Sequence, residues 1–176
     1  MNPVAPPLML DHVAYRCKDA KETADFYTGL LGMKLVAAVT DAIVQSTKER
    51  CPHIHVFFAM QDGSCVAFFE TPEEKPMGRD PNTPAWVQHL ALQVKDRETL
   101  MAAKARLEAA GVSVIGPKDG HMCVSIYFFD PSGHRLELTN RKVVPDERSE
   151  RDAHRILARW AETRQPVTDV ELERPL

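Results

Sequence analysis

Two stretches of the chain share one pattern of apolar and polar positions, with His12 of the first aligned on His89 of the second. "LDHVAYRCKDAKET" (10–23) and "VQHLALQVKDRETL" (87–100) each alternate like a half-buried strand and then continue through Lys-Asp into helical spacing. Each predicted helix has an N-cap acid and a terminal glycine, namely Asp19 with Gly32 and Asp96 with Gly111. The pattern therefore predicts a strand followed by a helix in both copies.

Three short strand-like runs follow each predicted helix. They lie near 33–39, 52–59 and 64–70 in the first copy and near 112–116, 123–129 and 135–139 in the second, with 41–50 as a loop. The predicted fold is α+β, with two tandem βαβββ modules at about 8–70 and 86–140 and a Pro-rich, charged linker at 71–85. Repetition of whole supersecondary units indicates duplication, with the two copies completing one core.

The remaining residues, 141–176, match neither copy and form a C-terminal extension with one predicted helix, 149–163. Ser149 and Asp152 fit a capping pattern. An apolar stripe follows at helical spacing, formed by Ala153, Ile156, Leu157 and Trp160. We expect this stripe to dock on the domain or on a second subunit.

Composition narrows the class of protein. The 176 residues carry a net charge of −3, and no basic run predicts nucleic-acid binding. No apolar run is long enough for a membrane span, and the N-terminus lacks the pattern of a secretory signal. The four cysteines are scattered without a CxxC pair, which favours reduced thiols and a cytoplasmic location.

Strand alternation predicts where the candidate metal ligands point. His12 and His89 lie on the faces opposite the large apolar residues of their strands, and in "HRLELT" Glu137 faces away from Leu136 and Leu138. Two imidazoles and one carboxylate suit a divalent transition metal, as in the facial triad of Fe(II) sites or in hydrolytic zinc sites. The alternative is two duplicated core histidines and a surface acid, but matched repeat positions favour the metal site.

These segments resemble the vicinal oxygen chelate superfamily, which includes glyoxalase I, extradiol dioxygenases, methylmalonyl-CoA epimerase, and fosfomycin and bleomycin resistance proteins. The resemblance covers about residues 8–140 and is carried by segments 10–36, 87–94 and "SIYFFDPSGHRLELT" (125–139). It implies that the strands curl into an incomplete barrel around a metal held by His12, His89 and Glu137. A fourth family ligand would fall near Ala67, Phe68 or Phe69, and the nearby acid Glu70 is either a ligand or a rim residue.

The last motif is most similar to extradiol dioxygenases, in which a tyrosine ten residues before the glutamate ligand hydrogen-bonds the substrate. Tyr127 has that spacing to Glu137, although it also suits a simple strand aromatic. No histidine occurs in 71–88, where the family's acid–base histidine is usual. His121 or His55 would have to replace it, and both positions, like His53, are also consistent with solvated or half-exposed residues.

The resemblance implies a metal-dependent enzyme, first of all an Fe(II) extradiol-type dioxygenase that cleaves a small catechol-like aromatic with O₂. A second hypothesis is a glyoxalase-, epimerase- or lyase-like enzyme using Ni, Co, Mn or Zn, with Glu70 as a possible base. A third is a drug-binding resistance protein without metal, which the intact triad disfavours. The expected partners are a small-molecule substrate and a second copy in a homodimer, and the sequence leaves open whether modules pair within or between chains.

Overall fold

The computed structural model describes residues 5–78 and 80–166. Its first half contains β1 (His12–Cys17), α1 (Ala20–Asp25), a π-helical segment (Phe26–Leu30), β2 (Lys34–Ile43), β3 (Arg50–Ala59) and β4 (Cys65–Glu70). Its second half contains β5 (Leu90–Gln93), α2 (Arg97–Ala109), β6 (Ile115–Asp119), β7 (Cys123–Phe129), β8 (Arg135–Arg141) and α3 (Glu147–Thr163). The order of elements is therefore the predicted pair of βαβββ modules followed by a C-terminal helix.

Each half forms its own open, four-stranded sheet, and the strand orders are equivalent. The first sheet runs β1-β4-β3-β2 and the second runs β5-β8-β7-β6. In each sheet the first strand pairs in parallel with the last, and the other pairs are antiparallel. This confirms the predicted α+β fold of tandem modules, with two open sheets rather than one closed barrel.

The predicted helix caps are present in both modules. The carboxylate of Asp19 accepts a hydrogen bond from the Glu22 amide (2.7 Å), and that of Asp96 accepts one from the Thr99 amide (2.8 Å). These equivalent hydrogen bonds fix the residue at which the helix of each module begins, because they satisfy free N–H groups of the first helical turn.

One shared core lies between the helical sides of the two sheets. Phe58 and Phe68 of the first sheet belong to the same buried cluster as Ile126 and Leu136 of the second. The Tyr27 hydroxyl, which is fully buried, donates to Asp130 Oδ2 across the joint (3.2 Å). The faces that carry the predicted ligands are therefore turned away from the core that joins the modules.

Three predicted boundaries are wrong, including that of β6, which covers Ile115–Asp119 instead of 112–116. Strand pairing extends past the expected loop at 41–50, because β2 pairs with β3 up to Ile43 opposite Arg50, with an irregularity after Asp41. The C-terminal helix begins earlier than Ser149, since the Asp146 side chain accepts from the amides of Arg148 and Ser149 in a capping box.

The C-terminal helix leaves much of its apolar stripe uncovered in one chain. Leu157 and Trp160 are 66% and 47% exposed, so docking of this stripe on the domain is not seen among the described residues. The last residues of the predicted extension, 167–176, lie outside the described residues. In the described ranges, no helix has the length and apolar character needed to cross a membrane.

Candidate metal centre

Glu137 lies in the middle of β8, on the open face of the second sheet. Its neighbours Leu136 and Leu138 face the core and are 1% and 5% exposed. Glu137 points the other way and is still only 7% exposed, because residues on the adjacent strands and His89 surround it. A carboxylate that loses this much water needs a hydrogen-bonding or cationic partner.

His89 supplies the first partner. Its Nε2 atom lies 3.1 Å from Glu137 Oε2, while its Nδ1 atom lies 3.1 Å from the carbonyl oxygen of Val87. Donation from Nδ1 to that carbonyl would leave the lone pairs of Nε2 and of the carboxylate facing each other, an arrangement that is favourable only with a cation between the two atoms. Two ligand atoms bound at about 2.1 Å and at right angles lie about 3.0 Å apart, so this pair fits the adjacent positions of one metal ion.

Tyr127 is the cross-strand neighbour of Glu137. Its ring meets the His89 ring edge-on at a centroid distance of 6.2 Å, and the Arg135 guanidinium lies 4.8 Å from its centroid. Burial and the negative charge of Glu137 raise the pKa of Tyr127, so the phenol stays protonated and acts as a hydrogen-bond donor. The structure thus brings three predicted residues, Tyr127, His89 and Glu137, into one cluster.

His12 occupies the equivalent place on the first sheet. Its Nδ1 atom lies 2.6 Å from Asp11 Oδ2, and its ring meets Phe57 edge-on at 5.5 Å. Phe57 lies opposite Ala67 on β4, in the same register that places Tyr127 opposite Glu137. The first module therefore has the histidine and an aromatic ring but no carboxylate at the position that corresponds to Glu137.

The register also settles which residue of β4 corresponds to Glu137. Ala14 is the repeat equivalent of Ala91, and these two residues lie opposite Ala67 and Glu137 respectively. Ala67 thus takes the position for which the family resemblance implies a fourth ligand, and its side chain has no ligand atom. Glu70 points to the helical side, where its Oε2 atom accepts a hydrogen bond from the Ala20 amide at the start of α1 (2.7 Å).

Within the described residues of one chain, no three His, Cys, Asp or Glu side chains come close enough together to hold a metal ion. His89 and Glu137 are paired, but His12 lies on the other sheet and does not join them. His12 on the first sheet and the His89–Glu137 pair on the second therefore lie apart within the described part of one chain.

The other predicted histidines have different surroundings. His55 lies on the same face as His12, 6.3 Å between ring centroids, and stacks on Phe69 at 3.6 Å. Burial and the neighbouring imidazoles lower the pKa of His55, which favours its neutral form. His53 packs edge-on against Phe69 from the other side, and its Nδ1 lies 2.7 Å from the Cys51 carbonyl oxygen.

His121 lies in the exposed turn between β6 and β7. After this turn the first paired residues of β7 and β8 are Cys123 and Arg141, and each lies four residues along its strand from the Tyr127–Glu137 pair. At about 3.3 Å per strand residue, the turn is therefore more than about 13 Å from the Tyr127–Glu137 pair. His121 is not brought to the His89–Glu137 pair of its own chain.

Sequence reasoning missed a group of buried polar atoms beside His55. Arg16, Phe69 and His55 form one row across β1, β4 and β3, and Arg16 Nη2 donates to the Thr71 carbonyl (3.3 Å). In the described part of the chain, Arg16 Nε, His55 Nε2 and Thr71 Oγ1 are buried without a hydrogen-bond partner. The alternation of side chains along β1 predicted that Arg16 shares a face with His12. Only the strand register shows that Arg16 and His55 lie in one row of that face.

Comparison with known proteins identifies the family. The model of the "Glyoxalase/Bleomycin resistance protein/Dioxygenase superfamily" matches residues 9–138. The chain belongs to this superfamily. No match was found among the curated proteins.

Solved structures of superfamily proteins have the same fold. An integron cassette protein from the mobile metagenome of the Halifax Harbour sewage outfall is 26% identical, with 76% of this chain and 99% of that chain covered and a TM-score of 0.54. A mutant of the fosfomycin resistance protein FosX from Listeria monocytogenes, in complex with Mn(II) and 1S,2S-dihydroxypropylphosphonic acid, is 22% identical (76% and 92% covered; TM-score 0.54). An antibiotic binding protein from Streptomyces sp. CB03234 is 21% identical (79% and 100% covered; TM-score 0.53).

These relatives differ in what they bind, so superfamily membership alone does not assign a reaction. Members include a metal-containing resistance protein and an antibiotic binding protein. Any assignment for this chain must rest on its own ligand set and on the residues around it.

Proposed function

We propose that this protein is a metal-dependent enzyme of a small substrate with two adjacent oxygen atoms, and that its site forms between two copies of the chain. His12 of one copy would join His89 and Glu137 of the other. The observation that carries this proposal is the His89 Nε2–Glu137 Oε2 distance of 3.1 Å, with the Nδ1 atom of each histidine directed at another acceptor.

A second copy of the chain is the partner that best fits the open sheet faces. Each face carries only part of a ligand set, and each is bordered by exposed apolar side chains such as Val39 (57%) and Ile115 (51%). A twofold dimer would bring unlike faces together twice and so complete two equivalent sites. The free cysteines suit a reducing compartment, and we propose the cytoplasm.

The donor set favours Fe(II), with Mn, Ni, Co and Zn as alternatives. Two imidazoles and one carboxylate leave positions open for a bidentate substrate and for O₂. When bound, the metal would hold both reactants side by side and stabilise negative charge on the substrate oxygens. We therefore propose extradiol-type ring cleavage of a small catechol-like aromatic as the reaction.

The chain's own residues would orient the substrate. Tyr127 is held protonated next to Glu137 and would donate a hydrogen bond to a substrate oxygen. The stacked rings of His55 and Phe69 offer a flat apolar wall for an aromatic ring. His55, whose neutral form is favoured, would accept the substrate proton.

A second candidate is a metal enzyme that does not use O₂. The FosX relative was solved with Mn(II) and a dihydroxy compound, which also offers two adjacent oxygens. The same residues would then bind the substrate, and His55 would move a proton at a substrate carbon or water. Glu70, considered above as a possible base, serves instead as a hydrogen-bond acceptor at the start of α1. Simple drug binding without metal is the third candidate, and the retained His12, His89 and Glu137 argue against it.

Metal content tests the shared site without knowledge of the substrate. His12→Ala and Glu137→Ala should each lose bound Fe(II), whereas His154→Ala, an exposed histidine of α3, should keep it. Mixing the two defective chains and letting the dimers exchange should restore about a quarter of the sites, because half of the dimers are mixed and each has one intact site. No recovery in exchanged dimers, or full metal content in His12→Ala, would refute the site.

Reaction type is tested next. The protein is purified anaerobically, loaded with Fe(II) and given a panel of catechols while O₂ uptake and coloured ring-cleavage product are recorded. Uptake that requires Glu137 supports the dioxygenase. A lack of uptake with every catechol at one Fe per site would refute it, and turnover of a thiohemiacetal or acyl-CoA without O₂ would support the second candidate.

A further inference from the structure

Asp11 directly precedes the candidate ligand His12 and contacts its ring. Asp11 Oδ2 lies 2.6 Å from His12 Nδ1, a distance typical of a charge-assisted hydrogen bond. The Asp11 backbone is itself fixed, because its carbonyl oxygen accepts a hydrogen bond from the Cys65 amide on β4 (2.9 Å). The sheet that carries His12 therefore fixes the backbone position from which the exposed Asp11 carboxylate reaches the imidazole.

The second module uses a different acceptor for the same ring nitrogen. His89 Nδ1 faces the carbonyl oxygen of Val87 at 3.1 Å, and the repeat equivalent of Asp11 is Gln88. One histidine thus has a charged acceptor and the other a neutral one. A charged acceptor holds the proton on Nδ1 more strongly and makes Nε2 a more basic ligand.

We propose that Asp11 is a positioning residue for His12: it fixes the tautomer with the proton on Nδ1 and aims Nε2 at the metal shared with a second copy. This inference rests on the proposed function, since it assigns His12 a metal. Asp11 is 95% exposed in one chain, and water screens part of the interaction. We therefore expect an effect at the lower end of the range for such partners, about 10-fold in metal affinity.

The test compares Asp11→Ala, Asp11→Asn and the control Asp25→Asn, which alters an exposed aspartate that is paired with Lys21. Long-range ¹⁵N–¹H NMR of the metal-free protein reports the His12 tautomer, and competition with a chelator gives the Zn(II) and Mn(II) affinities. Asp11→Ala should populate both tautomers and bind metal about 10-fold more weakly. Asp11→Asn should fall between, because its amide oxygen still accepts, and Asp25→Asn should match the wild type.

The outcomes separate this inference from the proposed function. An unchanged tautomer in Asp11→Ala would overturn the role of Asp11, even if affinity fell, because the loss would then reflect only charge near the site. Unchanged affinity in Asp11→Ala would overturn it as well, while loss of metal in His12→Ala would leave the proposed function intact. Full metal binding by His12→Ala would instead overturn the proposed function, and the tautomer measurement would still decide the Asp11–His12 contact.

Discussion

The two sheets carry the same strand order but different side chains at corresponding positions of their open faces. In the second sheet a row across three strands consists of Ala91, Glu137 and Tyr127, and the equivalent row of the first sheet reads Ala14, Ala67 and Phe57. The difference is one carboxylate and one hydroxyl. Duplication thus preserved the scaffold and the histidine twice, whereas the remaining polar groups of the candidate site occur once.

This difference explains why neither sheet is a complete site. The first sheet offers one imidazole and a wall of stacked rings, and the second offers an imidazole, a carboxylate and a phenol. Because the core joins the opposite sides of the sheets, the two faces of one chain point away from each other. In the proposed dimer these unlike faces would complement each other between copies, and each variant below alters one face at a time.

The largest expected effect is from removal of the carboxylate that only the second sheet has. Glu137→Gln keeps the shape of the side chain but loses the charge, and should weaken metal binding by more than the roughly 10- to 100-fold typical of outer partners. Glu70→Gln is the matched control in the first module, since its oxygen can still accept from the Ala20 amide. Metal content by elemental analysis checks both variants, and loss of metal in Glu70→Gln would contradict the assignment of Glu70 to the helix start.

The next largest effect should follow from exchange of the equivalent aromatic residues. Tyr127→Phe makes the second sheet like the first; metal should stay bound, and turnover should fall about 10- to 100-fold through loss of one hydrogen bond to a charged group. The reciprocal variant Phe57→Tyr adds a hydroxyl where no carboxylate lies opposite and should not restore the turnover of Tyr127→Phe when the two changes are combined. Steady-state rates with one substrate decide this, and equal rates for Tyr127→Phe and wild type would remove Tyr127 from the mechanism.

A smaller effect is expected at the joint between the modules. Tyr27→Phe removes the buried hydrogen bond to Asp130 and should cost about 1–2 kcal/mol of unfolding free energy. For a chain of this size the melting temperature should fall by about 2–4 °C per kcal/mol. Tyr127→Phe is the matched control on an open sheet face, and its melting temperature should be closer to that of the wild type. Equal melting temperatures for Tyr27→Phe and the wild type would show that this bond adds nothing to the joint.

The smallest effect concerns the N-cap of α2. Hydrogen bonds from the side chain and amide of Thr99 lower the pKa of Asp96 below its ordinary value. The folded state therefore prefers the charged carboxylate, and this contribution is present above the unfolded pKa of about 3.9 and lost as the pH falls further. Asp96→Asn keeps a good cap but should flatten the acid side of the stability curve. Unfolding monitored by circular dichroism at pH values from about 2 to about 7, where carboxyl groups titrate, gives the slope of unfolding free energy against pH. Identical slopes for Asp96→Asn and the wild type would contradict the prediction.

Local patterns predicted much of the fold. The two-residue period of "HRLELT" places Glu137 opposite the leucines, and Asp19 and Asp96 mark the helix starts, because both features depend on neighbours along the chain. The pattern was less informative at element ends. β2 continues to Ile43 through pairing with β3, and α3 begins after Asp146, because the Asp146 side chain and not Ser149 caps the helix.

The sequence by itself determined the duplication, the strand faces and the identity of the candidate ligands, since these follow from short-range periodicity and residue type. Only the tertiary structure decided that Ala67 corresponds to Glu137, that Glu70 serves the start of α1, and that His12 stays apart from His89 within one chain. Strand register and sheet docking are set by contacts between residues far apart in the chain. Alternation states which face a side chain occupies, but it contains no information about what that face meets.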